Sequence, residues 1–527
     1  MKELSRKGCI SFSIPEEHKK RILCAGEPSI LLVCFCKPQL TELLASYLST
    51  QAFPLHRTVD ASFLFQSALE SRSEQAEWQP NFANDAGKNK GAGIIYYCIV
   101  DDSGALSYMR WKHSQYFSRG FHQFICRFAE IKIPLILAKI VPTRSAEKSG
   151  VYFPYSAELK NMLRPAPGTY QLQCSHHIQS ESLLKPNHGH SPGSYLYSRL
   201  QLLGSAHRDK TVYSLQRQVK AKTSKLNVIG ALQQSSLIDE IAALPPDHCL
   251  VDDGHFRVYL SSPERMKLLL LEIGRLRELT FRENLEGTGF SVDLDPYDDY
   301  YKHLFVWDCH QQKIAGAYRI GEGQKICSQL GISGFYISSL FNVHPSMGSI
   351  MGQTIELGRS FVIPEYQRAG LVLMLLWQGL YKYLRESPGY KYVMGPVSIS
   401  CRYSRMSRLM MVSFLSKYYL HPAFSKLIRP KKPFRHLLKV QTTKRVASHS
   451  TNDLRELDKI LTEIENHCVR LPVMLRQYLR QNAKIIAFNR DPSFMNVLDA
   501  LVILEIEDEV TDLQRYLAAR ILRGGGN

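Results

Sequence analysis

What this 527-residue sequence lacks narrows its class first. No apolar run reaches the roughly 20 residues needed to span a bilayer, so any membrane contact should be peripheral. The opening Met1-Lys2-Glu3-Leu4-Ser5-Arg6 leads into a polar stretch rather than the apolar core of a secretion signal. The 12 cysteines are scattered, and the one close pair, Cys34 and Cys36, lies in an apolar run where buried thiols are common. That usage points to a reducing cytoplasm and away from a disulfide framework. Zinc-finger spacing, an RNA-recognition aromatic motif and an uninterrupted Lys/Arg tail are all missing, so nucleic acid is not expected as a partner. No metal-ligand set is read.

What is present is an ordinary globular composition: 44% hydrophobic, 22% charged and 10% aromatic. The length exceeds what one core fills and predicts two or three domains. Lys and Arg total 66 against 48 Asp and Glu, a formal charge of +18, which attracts polyanions. Basic residues alternate with aromatics and aliphatics in Arg402-Tyr403-Ser404-Arg405-Met406-Ser407-Arg408 and in Arg429-Pro430-Lys431-Lys432-Pro433-Phe434-Arg435-His436. That mixture suits an anionic membrane surface, with a solvated basic face as the bland alternative.

Along the chain, residues 81–93 read as a polar loop. Apolar β-like runs follow at 94–100 and 133–141, with a helix-like aromatic segment at 116–131 between them, an α/β alternation. Residues 176–192 form another polar loop, and helical periodicity around 205–246 ends at Pro245-Pro246. The expected domains are therefore 1–245 and 246–527. In the second, a helix is expected over 264–283 with apolar positions at Leu268, Leu271, Leu276 and Leu279. Strands are expected at 257–260, 303–307, 314–320, 335–341, 356–363, 392–397, 483–488 and 497–504. Helices are expected at 371–385 and 453–481.

The most informative segment is Phe361-Val362-Ile363-Pro364-Glu365-Tyr366-Gln367-Arg368-Ala369-Gly370-Leu371-Val372, a strand leading through a turn into a helix. Turn amides and the exposed amides of a helix N-terminus bind phosphate, and glycine lets the backbone approach closely. An ordinary strand–helix connection is the bland reading. The segment resembles the donor-binding motif of the GNAT acetyltransferase superfamily, with Gln367, Arg368 and Gly370 at the gripping positions. Val372 stands where that pattern has a small residue.

A second constellation comprises Arg277, Phe281, Asp293, Asp295, Asp298, Arg319, Glu356 and Arg359. Three carboxylates within six positions suit either recognition of a cationic amino acid or orientation of arginines by bidentate pairing. A calcium loop fits poorly, because the central glycine and the terminal glutamate are missing. The spacings Arg277-x-x-x-Phe281, Asp295-x-x-Asp298, Arg319 and Glu356-x-x-Arg359 resemble the acyl-homoserine-lactone synthases and the hemolysin-like and ornithine-lipid N-acyltransferases. Glu286-Gly287-Thr288-Gly289, Asp293-Leu294-Asp295-Pro296-Tyr297-Asp298, Glu356-Leu357-Gly358-Arg359-Ser360-Phe361 and Gly395-Pro396-Val397-Ser398-Ile399-Ser400 are similar to the ornithine-lipid branch.

The resemblance covers residues 251–509. It implies an αβα acetyltransferase-like fold with a central mixed sheet. It also implies transfer of an acyl group, often 3-hydroxyacyl, from acyl carrier protein to the α-amine of ornithine or a similar amino acid. The donor is then an acyl-phosphopantetheine substrate, and no cofactor is held permanently. Glu356 is the candidate general base, with a salt bridge to Arg359 or Arg319 as its structural alternative. The site expected is Glu356 and Arg359 for catalysis; Arg277, Phe281, Asp293, Asp295, Asp298 and Arg319 for the amino acid; and Gln367, Arg368 and Gly370 for the donor. The enzyme would lie in the cytoplasm, peripheral on the inner membrane. Nothing in the sequence supports hemolysis.

Residues 117–156 resemble the late part of a lysophosphatidate-type glycerolipid O-acyltransferase. That chemistry needs a His and an Asp separated by four residues, and His56-Arg57-Thr58-Val59-Asp60 has only three between. A degenerate α/β domain is expected there. Two rival readings stay open: a bifunctional enzyme that also O-acylates the lyso-lipid, and a non-catalytic membrane-associated binding protein.

Overall fold

The computed structural model describes residues 10–13, 29–36, 55–60, 94–100, 135–142, 168–176, 178, 192–208, 226–368, 370–434, 440–465 and 467–506. The chain divides into two compact units, one of Met1–Arg208 with Leu438–Arg470, the other of Asp209–Leu437 with Leu471–Asn527. The expected loop at 81–93, the helix at 116–131 and most of the O-acyltransferase-like stretch lie outside the described residues.

The first unit holds strands β1 (Ile10–Ser13), β2 (Ser29–Cys36), β3 (Leu55–Asp60), β4 (Ile94–Val100), β5 (Leu135–Pro142) and β6 (Gly168–Cys174). They form one sheet in the order β1-β6-β5-β2-β4-β3. All neighbours are parallel except β5 with β6. His56 and Asp60 both fall on β3. Helix α1 (Pro192–Leu202) and the helices Val440–His449 and Leu454–Glu465 complete the unit. Their polar centre is Glu463, buried and held by the Arg199 guanidinium at 2.7 and 2.8 Å. This pairing holds the Glu463 carboxyl well below the usual range against the upward push of burial.

The second unit is built on an eight-stranded sheet in the order β15-β16-β13-β12-β10-β9-β8-β7. Its chain runs α2 (Gln234–Ala242), β7 (Cys249–Asp252), β8 (Phe256–Ser261), α3 (Lys267–Glu283), β9 (Lys302–Asp308), β10 (Lys313–Glu322) and α4 (Gly323–Leu330). Then come β11 (Phe341–Val343), β12 (Thr354–Val362), α5 (Leu371–Arg385), β13 (Tyr392–Ile399), α6 (Arg405–Tyr418) and β14 (Ile428–Pro430), which pairs with β11. After the excursion into the first unit come α7 (Val473–Arg480), β15 (Lys484–Asp491) and β16 (Val497–Glu505).

Alternation along the strands sorts the two faces. Tyr259 and Phe305 join Leu269, Ile273 and Phe281 of α3 in one core. Val258 and Leu304 turn to the opposite face, where Gly379 of α5 lies so close that a Cβ there would stand 2.6 Å from Val258. Helices thus cover both faces of a mixed sheet, the αβα arrangement expected, and the range of α5 matches the periodicity of the sequence.

Three local expectations are corrected. The stripe of α3 that faces the core is Leu269, Ile273, Arg277 and Phe281, whereas Leu268 and Leu279 are exposed. The leucine-rich text hides this because a charged residue occupies the inward face. The strand expected at 335–341 is instead a turn of helix, Ile337–Leu340, before the short β11; the Glu356 carboxylate that captures its first amides favours the helical turn over extension. The helix expected over 453–481 is two helices, ending at Glu465 and resuming at Val473 after Pro472, and the chain passes from one unit to the other between them.

Candidate active site

The site starts at a glycine in the middle of α3. A Cβ at Gly274 would meet Val292 and Leu294 at 2.8 Å, so its absence lets the following loop press onto the helix. The Asp293 amide then donates to the Gly274 carbonyl at 3.1 Å, which delivers the Asp293 carboxylate one turn along to Arg277. Arg277, 1% exposed, donates to Asp298 at 2.8 and 3.0 Å and to the Asp293 carboxylate at 3.3 Å and its carbonyl. Asp298 also closes a capping box with Asp295 over the turn Pro296–Asp299.

Arg319 on β10 reaches Asp295 at 2.5 Å and Asp298 at 3.2 Å, beneath the rings of Tyr297, Tyr301 and Tyr336. Arg359 on β12 reaches Asp293 at 3.3 Å and Asp295 at 3.1 Å, between Tyr336 and Phe494. Of the two roles open to these carboxylates, pairing with arginine is the one the geometry shows. Burial opposes the Asp298 carboxylate, but Arg277 and Arg319 outweigh it and hold the group well below its ordinary value. Phe281 packs edge-on against Phe494 at 5.5 Å, beside Arg359.

Glu356 lies apart from that network. Its oxygens accept the Tyr301 hydroxyl and the amides of Tyr336 (3.0 Å) and Ile337 (2.7 Å), and among the described residues it forms no ion pair with Arg319 or Arg359. Burial pushes its carboxyl up to about 7, with these hydrogen bonds and Arg319 pulling the other way. The Tyr301 phenol is raised in turn by burial and by the Glu356 charge.

Beyond Glu356 the sheet opens. The parallel ladder between β12 and β13 comprises Thr354↔Tyr392, Ile355↔Val393 and Glu356↔Met394 and then stops, although β12 runs on to Val362 and β13 to Ile399. β13 stays paired with β16 along its whole length, and β12 with β10. Two neighbouring parallel strands therefore diverge from a point marked by Glu356. A Cβ on Gly395 would meet the Leu357 carbonyl at 2.1 Å, so the strands touch just past the last pair. At Gly358, where they have parted, a Cβ would meet nothing within 4 Å. A bulge of β12 against β10 follows, with Arg359 at φ 51, a left-handed conformation that turns its side chain toward the aspartates.

The far end of the open edge is the turn singled out in the sequence. Tyr366 anchors it by donating to Asp308 at 2.6 Å. Gly370 takes φ 67 and caps α5, the conformation for which glycine is suited. The Gln367 side chain donates to the Val362 carbonyl at 2.8 Å, bracing the turn, and Arg368 is exposed. Val372 points into the sheet, 1% exposed and beside Gly316 of β10, so its bulk does not occupy the turn.

Several contributors carried no separate signal in the sequence. Glu278, fully buried, accepts from Thr288 and Gly289 and from Arg282, which anchors the Gly287-Thr288-Gly289 turn. Tyr301 and Tyr336 bridge Glu356 to the arginines, and only the tyrosine density after Asp295 hints at them. In the basic stretch 402–408, Arg408 is buried and reaches the Asn496 carbonyl, whereas Arg402 is exposed and Arg405 half-buried. Among the described residues no metal-holding group of side chains exists and no helix is long and apolar enough to cross a membrane.

In sequence the chain is similar to known acyltransferases. Residues 276–378 match the family described as Acetyltransferase (GNAT) domain. A glycine N(alpha)-acyltransferase of Phocaeicola vulgatus is 34% identical over 240 residues, 43% of this chain and 72% of that protein. An L-ornithine N(alpha)-acyltransferase of Rhodobacter capsulatus is 30% identical over 121 residues, 21% of this chain and 45% of that protein. The solved structure of the acyl-homoserine lactone synthase BjaI overlaps with a TM-score of 0.26 at 12% identity, covering 50% of this chain and 88% of that one. With a sheet parted beside a buried glutamate and a relative matched over most of its length, this chain belongs to the N(alpha)-acyltransferase family of GNAT-type acyltransferases.

Proposed function

We propose that the second unit transfers a fatty acyl group from the phosphopantetheine thioester of acyl carrier protein to the α-amine of a small amino acid, of the glycine or ornithine kind, as a step of aminolipid synthesis. The parting of β12 and β13 beyond Glu356 carries this reading. A thioester arm laid in that opening would run between two strand edges whose shared ladder has ended. From Glu356 to Val362 is six residues, roughly 20 Å of strand, a span comparable to an extended phosphopantetheine arm. Its phosphate would then reach the amides at the start of α5, where Gly370 removes a side chain from the approach.

At the other end the amine attacks the thioester carbonyl and must shed a proton. Glu356, pushed up to about 7, has the affinity for it, and its hydrogen bond with Tyr301 offers a relay to the crevice. The aspartate–arginine network fixes the wall against which the amino acid rests. The formal charge of +18 suits an acidic carrier or an anionic membrane surface.

The test is incubation of the full chain with palmitoyl acyl carrier protein and either glycine or L-ornithine, with amide product and released thiol measured together. N-acyl amino acid formed in step with thiol supports the reading. A thioester that decays at its uncatalysed rate with every amine refutes it and leaves the non-catalytic alternative.

A further inference from the structure

Among the described residues one carboxylate on the reactive face has no cationic partner. Direct partners in a sheet project to the same side, so Glu356, its partner Met394, Ser398 two alternations further along β13, and Asp499 opposite Ser398 on β16 share one face. Asp499 therefore stands on the wall of the opening, four strand positions past its apex. Ser398 donates to Asp499 Oδ1 at 3.3 Å. Among the described residues Asp499 Oδ2 has no hydrogen-bond partner, although the residue is only 4% exposed.

Its neighbours come from every adjoining element. Asp491 on β15 and Glu286 from the loop after α3 add negative charge, and Arg359 on β12 adds a positive one. Tyr336, packed under Arg359, lies within the electrostatic reach of both aspartates. Arg359 is already committed to Asp293 and Asp295, and Arg402 lies nearest Glu286, so neither cation forms an ion pair with Asp499 among the described residues. Burial first, and then Asp491, push Asp499 up to about 8, the condition of a carboxylate lacking a cation.

We propose that Asp499 is the seat of the acceptor's amino group: Oδ2 receives the incoming ammonium, Asp491 and Glu286 strengthen its hold on the positive charge, and Ser398 fixes the carboxylate plane. This rests on the N-acyl-transfer reading of the crevice and deepens it, because the aspartates picked out by spacing, Asp293, Asp295 and Asp298, are occupied by arginines. The ammonium gives one proton to Asp499, and the neutral amine passes along the opening to attack the thioester carbonyl beside Glu356. The C–N bond forms as the second nitrogen proton passes to Glu356, the C–S bond breaks, and Glu356 hands that proton to the thiolate to give the free thiol. Asp499 returns its proton to solvent.

The experiment uses the full chain, palmitoyl acyl carrier protein, and glycine and L-ornithine as acceptors. It compares wild type with Asp499→Asn and Asp491→Asn by kcat and KM for the amine, and by donor affinity from the fluorescence anisotropy of labelled palmitoyl acyl carrier protein. Asp499→Asn is expected to raise the amine KM by about tenfold or more with donor affinity unchanged, and Asp491→Asn by about threefold. A wild-type amine KM in Asp499→Asn, or a loss of donor affinity equal to the loss of turnover, overturns the proposal while leaving the acyl-transfer reading intact. A wild-type chain that forms no amide from either amine overturns both. Should Asp499→Asn not fold, Ser398→Ala removes only the hydroxyl that orients the carboxylate; a raised amine KM supports the assignment and an unchanged one overturns it.

Discussion

At the scale of single residues, Arg277 shows why the aspartates matter. It occupies an inward position of α3, where a leucine would satisfy the helix, and its guanidinium neutralises Asp293 and Asp298 inside the protein. Arg277→Met fills similar space and leaves Asp293 with Arg359 alone and Asp298 with Arg319 alone, so the change is expected to cost about 3–5 kcal/mol of stability in denaturant titration. Glu356 and Asp499 respond to pH in the opposite sense from Asp298. Their folded-state values, about 7 and about 8, stand above the ordinary 4.5 and 3.8, so the folded chain binds those protons more tightly than the unfolded one. The stability they contribute is whole below the ordinary values and is lost as pH rises through 7 and 8. The melting temperature of the wild type should therefore fall between pH 5 and about 8.5, and the fall should be smaller in Asp499→Asn. A flat or rising profile over that window in the wild type contradicts the assignment.

At the scale of elements, the two glycines flanking the parted strands make separable predictions. Gly358→Val adds a side chain where nothing stands within 4 Å, so folding should be unaffected and the apparent KM for palmitoyl acyl carrier protein should rise several-fold. Gly395→Ala drives a methyl group into the Leu357 carbonyl and should destabilise the unit by about 1–3 kcal/mol in thermal or denaturant unfolding. Much of this level was legible in the sequence. β9, β10, β12, α5, β13, β15 and β16 all fall where periodicity placed them, because each is an apolar run with one dominant period. Residues 335–341 misled, because their aromatic and β-branched text reads as a strand while two of their amides are captured by Glu356 from outside the segment. Asp499 was invisible for a related reason: it interrupts an apolar strand singly, and its meaning arises only when β16 is laid beside β13.

At the scale of the whole chain, the first unit is assembled from two separate stretches, and the second stretch supplies Glu463 together with the buried Leu457, Ile460, Leu461 and Ile464. A chain shortened to residues 209–527 would keep those side chains and lose Arg199 and the β5–β6 region they belong with. It should be recovered mainly as aggregate, whereas a version that also replaces residues 438–470 by a short polar linker should stay in solution and retain whatever acyl transfer the second unit performs. Equal solubility of the two by gel filtration would contradict this. The same arrangement imposes a timetable on synthesis. About 230 residues separate Arg208 from Leu438, so at ribosomal speeds of roughly 5–20 residues per second α1 waits on the order of 10–50 s for the helices that pack against it. Through that interval Arg199 lacks its carboxylate and Leu196 and Leu200 lack their cover, which makes the opening two fifths of the chain a natural client for chaperones.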